Sequence, residues 1–327
     1  MTVDPRKAAI IGCGQVGASI AFRFLQQGLF SRLVLLDAKR EKAEGEAMDL
    51  RDGLPYGAAM EIAAGGYDDI ADSALVVITA GANQKPGETR LDLIGKNTAI
   101  LRSVMREIGA REFGGVLLVV SNPVDVLTYA AWKLSGYPRE RVIGSGTVLD
   151  TGRLKQLLGA ELKVDSRNVH TFIIGEHGDS ELAAWSEANV SGLDLEDFSC
   201  ARGRCLGAED RERLYKEVRD SAYQIIQRKG ATYYGIAMAV GRIAEAIVKD
   251  EHAVLPVSVV LNGQYGLDGL ALSIPSIVGR AGLEEILEIP LNPEEERALR
   301  SSAAQMREAI DSLDLQPLRS PAASGRR

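Results

Sequence analysis

The chain has 327 residues, 46% hydrophobic and 25% charged, which suits about two globular domains that each bury a core. Its net charge of −7 argues against a general nucleic-acid binder but leaves room for a small anion in a locally positive pocket. Three cysteines (Cys13, Cys200, Cys205) make neither a disulfide framework nor a paired metal site, and the apolar runs are far shorter than the ~20 residues that cross a bilayer.

The start, MTVDPRKAAIIGCG, lacks the apolar core of a signal peptide, so a reducing cytoplasm is the expected setting. Short β-branched runs at 8–11, 32–36, 74–79 and 116–120 predict buried parallel strands. Helical periodicity at 16–27, 39–51 and 91–108 separates them. That alternation predicts a doubly wound α/β sheet, a Rossmann domain over 1–145. Over 146–312 the texture changes to an α+β substrate domain. A helix at 150–158 leads to a strand ending at Ile174. A charged helix at 209–229 stops at Gly230, helix continues to Lys249, and a β-like run covers 257–261. A last helix opens on NPEEE, with acids at the positive dipole end. The small, polar residues of 313–327 predict a disordered tail.

The first strand runs into GCGQVG, with Gly12, Gly14 and Gly17 in the GxGxxG spacing. Glycines there permit a tight turn and let pyrophosphate reach a helix N-terminus. Asp37 ends the second strand, where a carboxylate grips an adenine ribose and repels a 2′-phosphate, so NAD is favoured over NADP. Tyr129 and Lys133 also form a YxxxK pair, as in short-chain dehydrogenases, but the glycine spacing differs and such matches are common.

Four further segments follow in order: GANQKPGETR (81–90), SNPVD (121–125), LDTGR (149–153) and GEHGD (175–179). With GCGQVG they resemble the L-lactate and malate dehydrogenase family, over nearly the whole chain to about residue 310. The resemblance implies that His177 moves the proton and that Asp150 fixes its tautomer. It assigns Arg153 to the substrate carboxylate as a bidentate clamp, whereas spacing alone would make Asp150 and Arg153 an i, i+3 surface pair. Arg90 polarises the substrate carbonyl from a Gly/Pro-rich loop, Asn122 bonds the substrate oxygen, and Thr232 in KGATYYG lines the pocket, with Ile236 near the nicotinamide. The resemblance also implies cofactor contacts at Val16, Lys42, Tyr67, Gly81, Ala82, Ser103, Ser121, Asn122 and Ser145. No metal ligand set is identified.

Gln84 stands where malate dehydrogenases carry arginine. A neutral side chain suits pyruvate and would leave the second carboxylate of oxaloacetate unpaired. The resemblance therefore implies an NAD-dependent lactate dehydrogenase, with malate or another 2-hydroxy acid as the alternative and a non-catalytic NAD-binding protein as a distant one. His170, with Lys155 in place of the family's arginine, marks a fructose 1,6-bisphosphate site or a strand histidine packed at an interface. The family further implies a homotetramer.

Overall fold

A computed structural model describes residues 2–82 and 90–318, apart from the side chain of Arg90. Gln84, the Arg90 side chain and the tail from residue 319 therefore lie outside the described residues. The first half comprises β1 (Asp4–Ile11), α1 (Gln15–Gln27), β2 (Arg32–Leu36), α2 (Arg40–Asp52), β3 (Glu61–Ala64), β4 (Ser73–Ile78), α3 (Arg90–Gly109), β5 (Val116–Val119), α4 (Val124–Ser135) and β6 (Val142–Gly144).

These strands are parallel, in the order β3-β2-β1-β4-β5-β6. Alternate residues feed opposite cores: Ile10, Val77 and Leu118 on one side, Ile11, Ile78 and Val119 on the other. Burial on both faces explains why the strands read as continuous apolar runs. Ile11 is level with both Leu36 and Ile78, and Ile78 with Val119, so the carboxyl ends form one rim. In doubly wound sheets ligands bind along that rim.

The sequence pattern does not reveal β3, β6 and α4. The two strands are only four and three residues long. The helix VDVLTYAAWKLS is buried over nearly all its surface, so it lacks the polar stripe that reveals a 3.6-residue period. Tyr129 is buried there and Lys133 lies over the Tyr129 and Trp132 rings, which accounts for the YxxxK pair as packing.

The second half holds α5 (Val148–Leu162), β7 (Val169–His170), β8 (Ile173–Ile174), β9 (Leu182–Ala183), β10 (Asn189–Val190), β11 (Leu193–Asp194), α6 (Leu195–Ala201), α7 (Ala208–Lys229), α8 (Tyr234–Lys249), β12 (Ala253–Asn262), β13 (Asp268–Gly279), β14 (Gly282–Ile286) and α9 (Pro293–Asp311). Antiparallel β12–β14 continue the first sheet: Ser258 pairs with Gly144, giving one nine-stranded sheet through both halves. A Cβ on Gly144 would lie 2.3 Å from Thr128 Oγ1 and 2.8 Å from Ser258 Cβ, so the seam closes only over a glycine.

The strand expected to end at Ile174 is instead two short strands. β7 pairs with β10 and β8 with β9, because the Ile173 N–H turns to Thr151 Oγ1 (2.9 Å) on α5. Cys200 and Cys205 form a disulfide at the end of α6, a single local bridge that the cysteine count did not foretell. Cys13 is free and buried; burial first, then the Asp37 carboxylate, pushes its thiol up to about 12. Of the tail expected over 313–327 only 313–318 is described: there Leu315 and Leu318 pack on the core, and the Leu318 N–H donates to Leu134 O at 3.2 Å. Asn292 caps α9, its Oδ1 accepting from the N–H groups of Glu294 and Glu295 (2.9 and 3.0 Å). Among the described residues no helix is long and apolar enough to cross a membrane.

Candidate active site

The glycine turn after β1 uses its three glycines for three reasons. Gly12 has φ +106°, and a Cβ there would sit 2.6 Å from the Ala80 nitrogen. Gly17 lets α1 press on the turn, since its Cβ would lie 1.9 Å from Gly12 O. Gly14 faces open space: a methyl group placed on it would meet no atom within 4 Å. It is the cradle that a side chain would fill and a pyrophosphate can enter. The start of α1 has no side-chain cap and no acid in its first turn, so its N–H groups are left for an anion. Asp37 accepts the Cys13 N–H at 2.8 Å through one oxygen and the Lys39 N–H at 2.9 Å through the other. Each oxygen keeps a lone pair for a ribose hydroxyl. These residues fit NAD.

Along the same rim Gly81 lies against Asn97 and Ser121, and the Ser121 hydroxyl donates to Ala80 O at 2.7 Å. Buried Asn97, which no sequence motif singles out, ties two motifs together. Its Oδ1 accepts the Ala82 N–H (2.8 Å) and its Nδ2 donates to Asn122 O (2.8 Å). Asn122 precedes a cis Pro123. Buried Ser145 donates its N–H to Val119 O at the end of β5. Val16 packs against the core under the turn, Lys42 is exposed on α2, and Tyr67 stacks with Arg111. Ser103 is exposed and its hydroxyl donates to Ile100 O on its own helix (2.7 Å), which supplies no contact to the rim.

Beyond the rim opens a cleft of about 410 Å³. Asn122, Asp150, Arg153, His177, Glu181 and Arg219 line it. Asp150 stands in the first turn of α5, nearly fully buried. Its Oδ2 meets His177 Nδ1 at 2.6 Å and its Oδ1 accepts from Arg153 Nη1 at 2.7 Å. The i, i+3 pair is thus real but sits inside the cleft, where water screens it little. The GEHGD loop is fixed from behind: the His177 N–H donates to Asp125 Oδ2 (2.7 Å), and Asp125 Oδ1 accepts from Ser273 Oγ (3.1 Å). Asp125, the last residue of SNPVD, is buried at the start of α4, and burial pushes its carboxyl up. The family resemblance marks Asn122 in SNPVD; that its aspartate braces the histidine loop is visible only in three dimensions.

Burial opposes a charge on His177, yet the Asp150 carboxylate outweighs it, with Glu181 and Asp125 behind, and pushes the imidazole up to about 9. Burial likewise opposes the charge on Asp150, but His177 and Arg153 hold its carboxyl below the usual range. With Nδ1 committed to Asp150, Nε2 is the nitrogen left for a ligand. Thr232 lies in the link between α7 and α8, half-buried and away from the cleft lining, with Ile236 packed on the core. Lys155 is half-buried on α5, its ammonium pulled down by burial, and His170 is exposed on β7, which packs against α5.

A glycine turn of this geometry on a doubly wound sheet defines a nicotinamide-dinucleotide-binding protein, with a histidine–carboxylate pair brought to the cofactor rim by the second half. Residues 6–144 match the family model for the lactate/malate dehydrogenase NAD-binding domain, and residues 147–314 match that family's alpha/beta C-terminal domain. The chain belongs to the lactate/malate dehydrogenase family. It is 49% identical over 310 residues to an L-lactate dehydrogenase of Acetivibrio thermocellus, covering 95% of this chain and 98% of that one. To an L-lactate dehydrogenase of Streptococcus thermophilus it is 50% identical over 308 residues, 94% of each chain. Among solved structures, the ligand-bound minor L-lactate dehydrogenase of Enterococcus mundtii superposes with a TM-score of 0.92 at 45% identity, covering 95% of this chain and 99% of that one. The ligand-free form of that enzyme gives 0.87 at 44% identity, covering 96% and 100%.

Proposed function

We propose that this chain is an NAD-dependent L-lactate dehydrogenase that interconverts pyruvate and L-lactate. The observation that carries the reading is the His177–Asp150 contact of 2.6 Å inside a cleft that also holds Arg153. Bound NADH supplies a hydride to the carbonyl carbon. The chain's own residues do the rest. His177 gives its Nε2 proton to the carbonyl oxygen, and Asp150 holds the ring in the tautomer and charge state that makes this one step. Arg153 keeps one nitrogen on Asp150 and turns the rest of its fork to the substrate carboxylate, which orients the carbonyl. Asn122 and Arg90 hydrogen-bond the carbonyl oxygen as negative charge builds on it. Neutral Gln84 is assigned to select the methyl group, and Thr232, which stands off the cleft lining, is given no contact with the substrate.

The cofactor would be held by Gly12, Gly14, Val16, Gly17 and Asp37 on one side of the rim and by Gly81, Ala82, Ser121, Asn122 and Ser145 on the other, with Lys42 and Tyr67 at the adenine end; Ser103, its hydroxyl spent on Ile100 O, is given no part in it. Lys155 and His170 are assigned to a fructose 1,6-bisphosphate effector, and the assembly to a cytoplasmic homotetramer. A non-catalytic NAD-binding descendant would have no use for His177, Asp150 and Arg153 together in one cleft.

The test is NADH oxidation with pyruvate, oxaloacetate and branched 2-oxo acids, comparing the native chain with Gln84→Arg. Pyruvate is the preferred native substrate. The added guanidinium pairs with a second carboxylate and shifts kcat/KM towards oxaloacetate by a factor on the order of 10² or more, several kcal/mol of charge pairing in a desolvated pocket. An unchanged ratio would sink the role given to Gln84, and no turnover of pyruvate would sink the reading itself.

A further inference from the structure

The mechanism leaves one buried acid of the cleft unused. Glu181 is only 5% exposed, and it groups with Asp150 and His177 so that one oxygen of each carboxylate and one ring nitrogen all lie within 4.8 Å of one another. Its Oε1 is buried without a hydrogen-bond partner among the described residues. Asp150 and Arg153 face it from α5, His177 from its own loop, and Arg219 and Tyr215 from α7; the Tyr215 hydroxyl is spent on the Glu181 backbone carbonyl.

An ionised Glu181 would put a second carboxylate beside Asp150, within the field of the two arginines that draw an anion into the cleft. Like charges so close disfavour double ionisation. We propose that Glu181 sets the charge of the substrate cleft: its neutral carboxyl leaves the Arg153 guanidinium to the substrate carboxylate, and its ionised form competes for that guanidinium and repels the substrate. The proposal rests on the pyruvate reading above and adds a residue that decides how that substrate is held. Burial first, and the Asp150 carboxylate second, push Glu181 up to about 8, against the pull of His177, Arg153 and Arg219. It is therefore protonated below that pH and charged above it, and substrate affinity is lost as pH rises through about 8.

The experiment measures KM for pyruvate and the dissociation constant of oxamate, an unreactive isostere, from pH 6 to 10 on the NADH-loaded enzyme. The native chain weakens in two steps, Glu181 near 8 and His177 near 9. Glu181→Gln keeps only the His177 step, moved to lower pH because the Glu181 charge that helps to raise it is gone; towards pH 10 native affinity therefore falls with a slope approaching about a hundredfold per pH unit, and that of the variant with a slope approaching roughly tenfold. Identical profiles overturn the proposal. Should Glu181→Gln fail to fold, Arg219→Gln removes a cation that favours the ionised form and moves the lower step to higher pH; an unmoved step overturns the proposal equally. Native turnover of pyruvate at pH 7 reads the substrate assignment separately, before any variant is compared.

Discussion

The proton-donor role proposed for His177 rests on its neighbour, a carboxylate that the fold has stripped of water. Asp150 contributes both charge and a hydrogen bond, and the pair keeps the imidazolium populated to about pH 9. The sign follows: carbonyl reduction needs the protonated ring, so it is supported below that pH and lost above it, while alcohol oxidation gains as the ring is deprotonated. Asp150→Asn removes the main influence holding the ring charged. We expect the alkaline limb of kcat/KM for pyruvate to fall from about 9 towards the ordinary histidine range near 6.5. Activity at pH 7 should drop on the order of 10²-fold or more. A pH–rate profile with its limb unmoved would show that Asp150 does not tune the ring. The same substitution also frees Arg153 from its 2.7 Å partner, so the two roles of Asp150 separate by comparing KM with kcat.

At the scale of elements, the β1–α1 turn shows that three glycines of one motif are not equivalent. Gly17 is a packing residue, because any Cβ would collide with the Gly12 carbonyl. A Cβ on Gly14 would meet no protein atom within 4 Å, so packing does not require its bareness and the proposed cofactor site does. Gly14→Ala should leave the melting temperature almost unchanged and weaken NADH binding at least ~10-fold, about 1.4 kcal/mol. Gly17→Ala should lower both the melting temperature and the affinity. Thermal melts with NADH fluorescence titration check this, and parallel losses in both variants would refute the division. The element that hid from sequence reading, α4, did so because it is covered on nearly every side. It nonetheless carries Asp125, which braces the GEHGD loop from the opposite half of the chain.

For the molecule as a whole, the seam between β6 and β12 matters most. There the parallel sheet of the first half passes into the antiparallel strands of the second, through Gly144 and Ser258. One hydrophobic cluster runs from Ile10 through Ile274 to Met306, so the halves share a core as well as a sheet. Gly144→Ala forces a methyl onto Thr128 and Ser258. Overpacking of this kind costs ~1–3 kcal/mol, which corresponds to a fall of several degrees in melting temperature. A calorimetric scan should show one shifted transition; a wild-type melting temperature would mean the seam has slack that the geometry does not reveal.

Local chemistry was enough to read the parallel strands, the glycine turn and Asp37, because each depends on neighbours a few residues away, whereas the ordered motifs are legible through their resemblance to a family. Hydrophobic period, cap and turn residues all act at that range. What lay beyond it was every relation between distant segments. In the sequence Glu181 is one more acid after a motif, and only the packing of α5 and α7 around it gives it Asp150 and Arg219 as neighbours. Asn97 and Asp125 tie motifs that sit 25 and 52 residues away. The continuity of one sheet through both halves, where Gly144 pairs with Ser258, is a relation of the same kind. A residue's type is written in the sequence, but its charge state and partners depend on which other groups the fold carries out of water beside it.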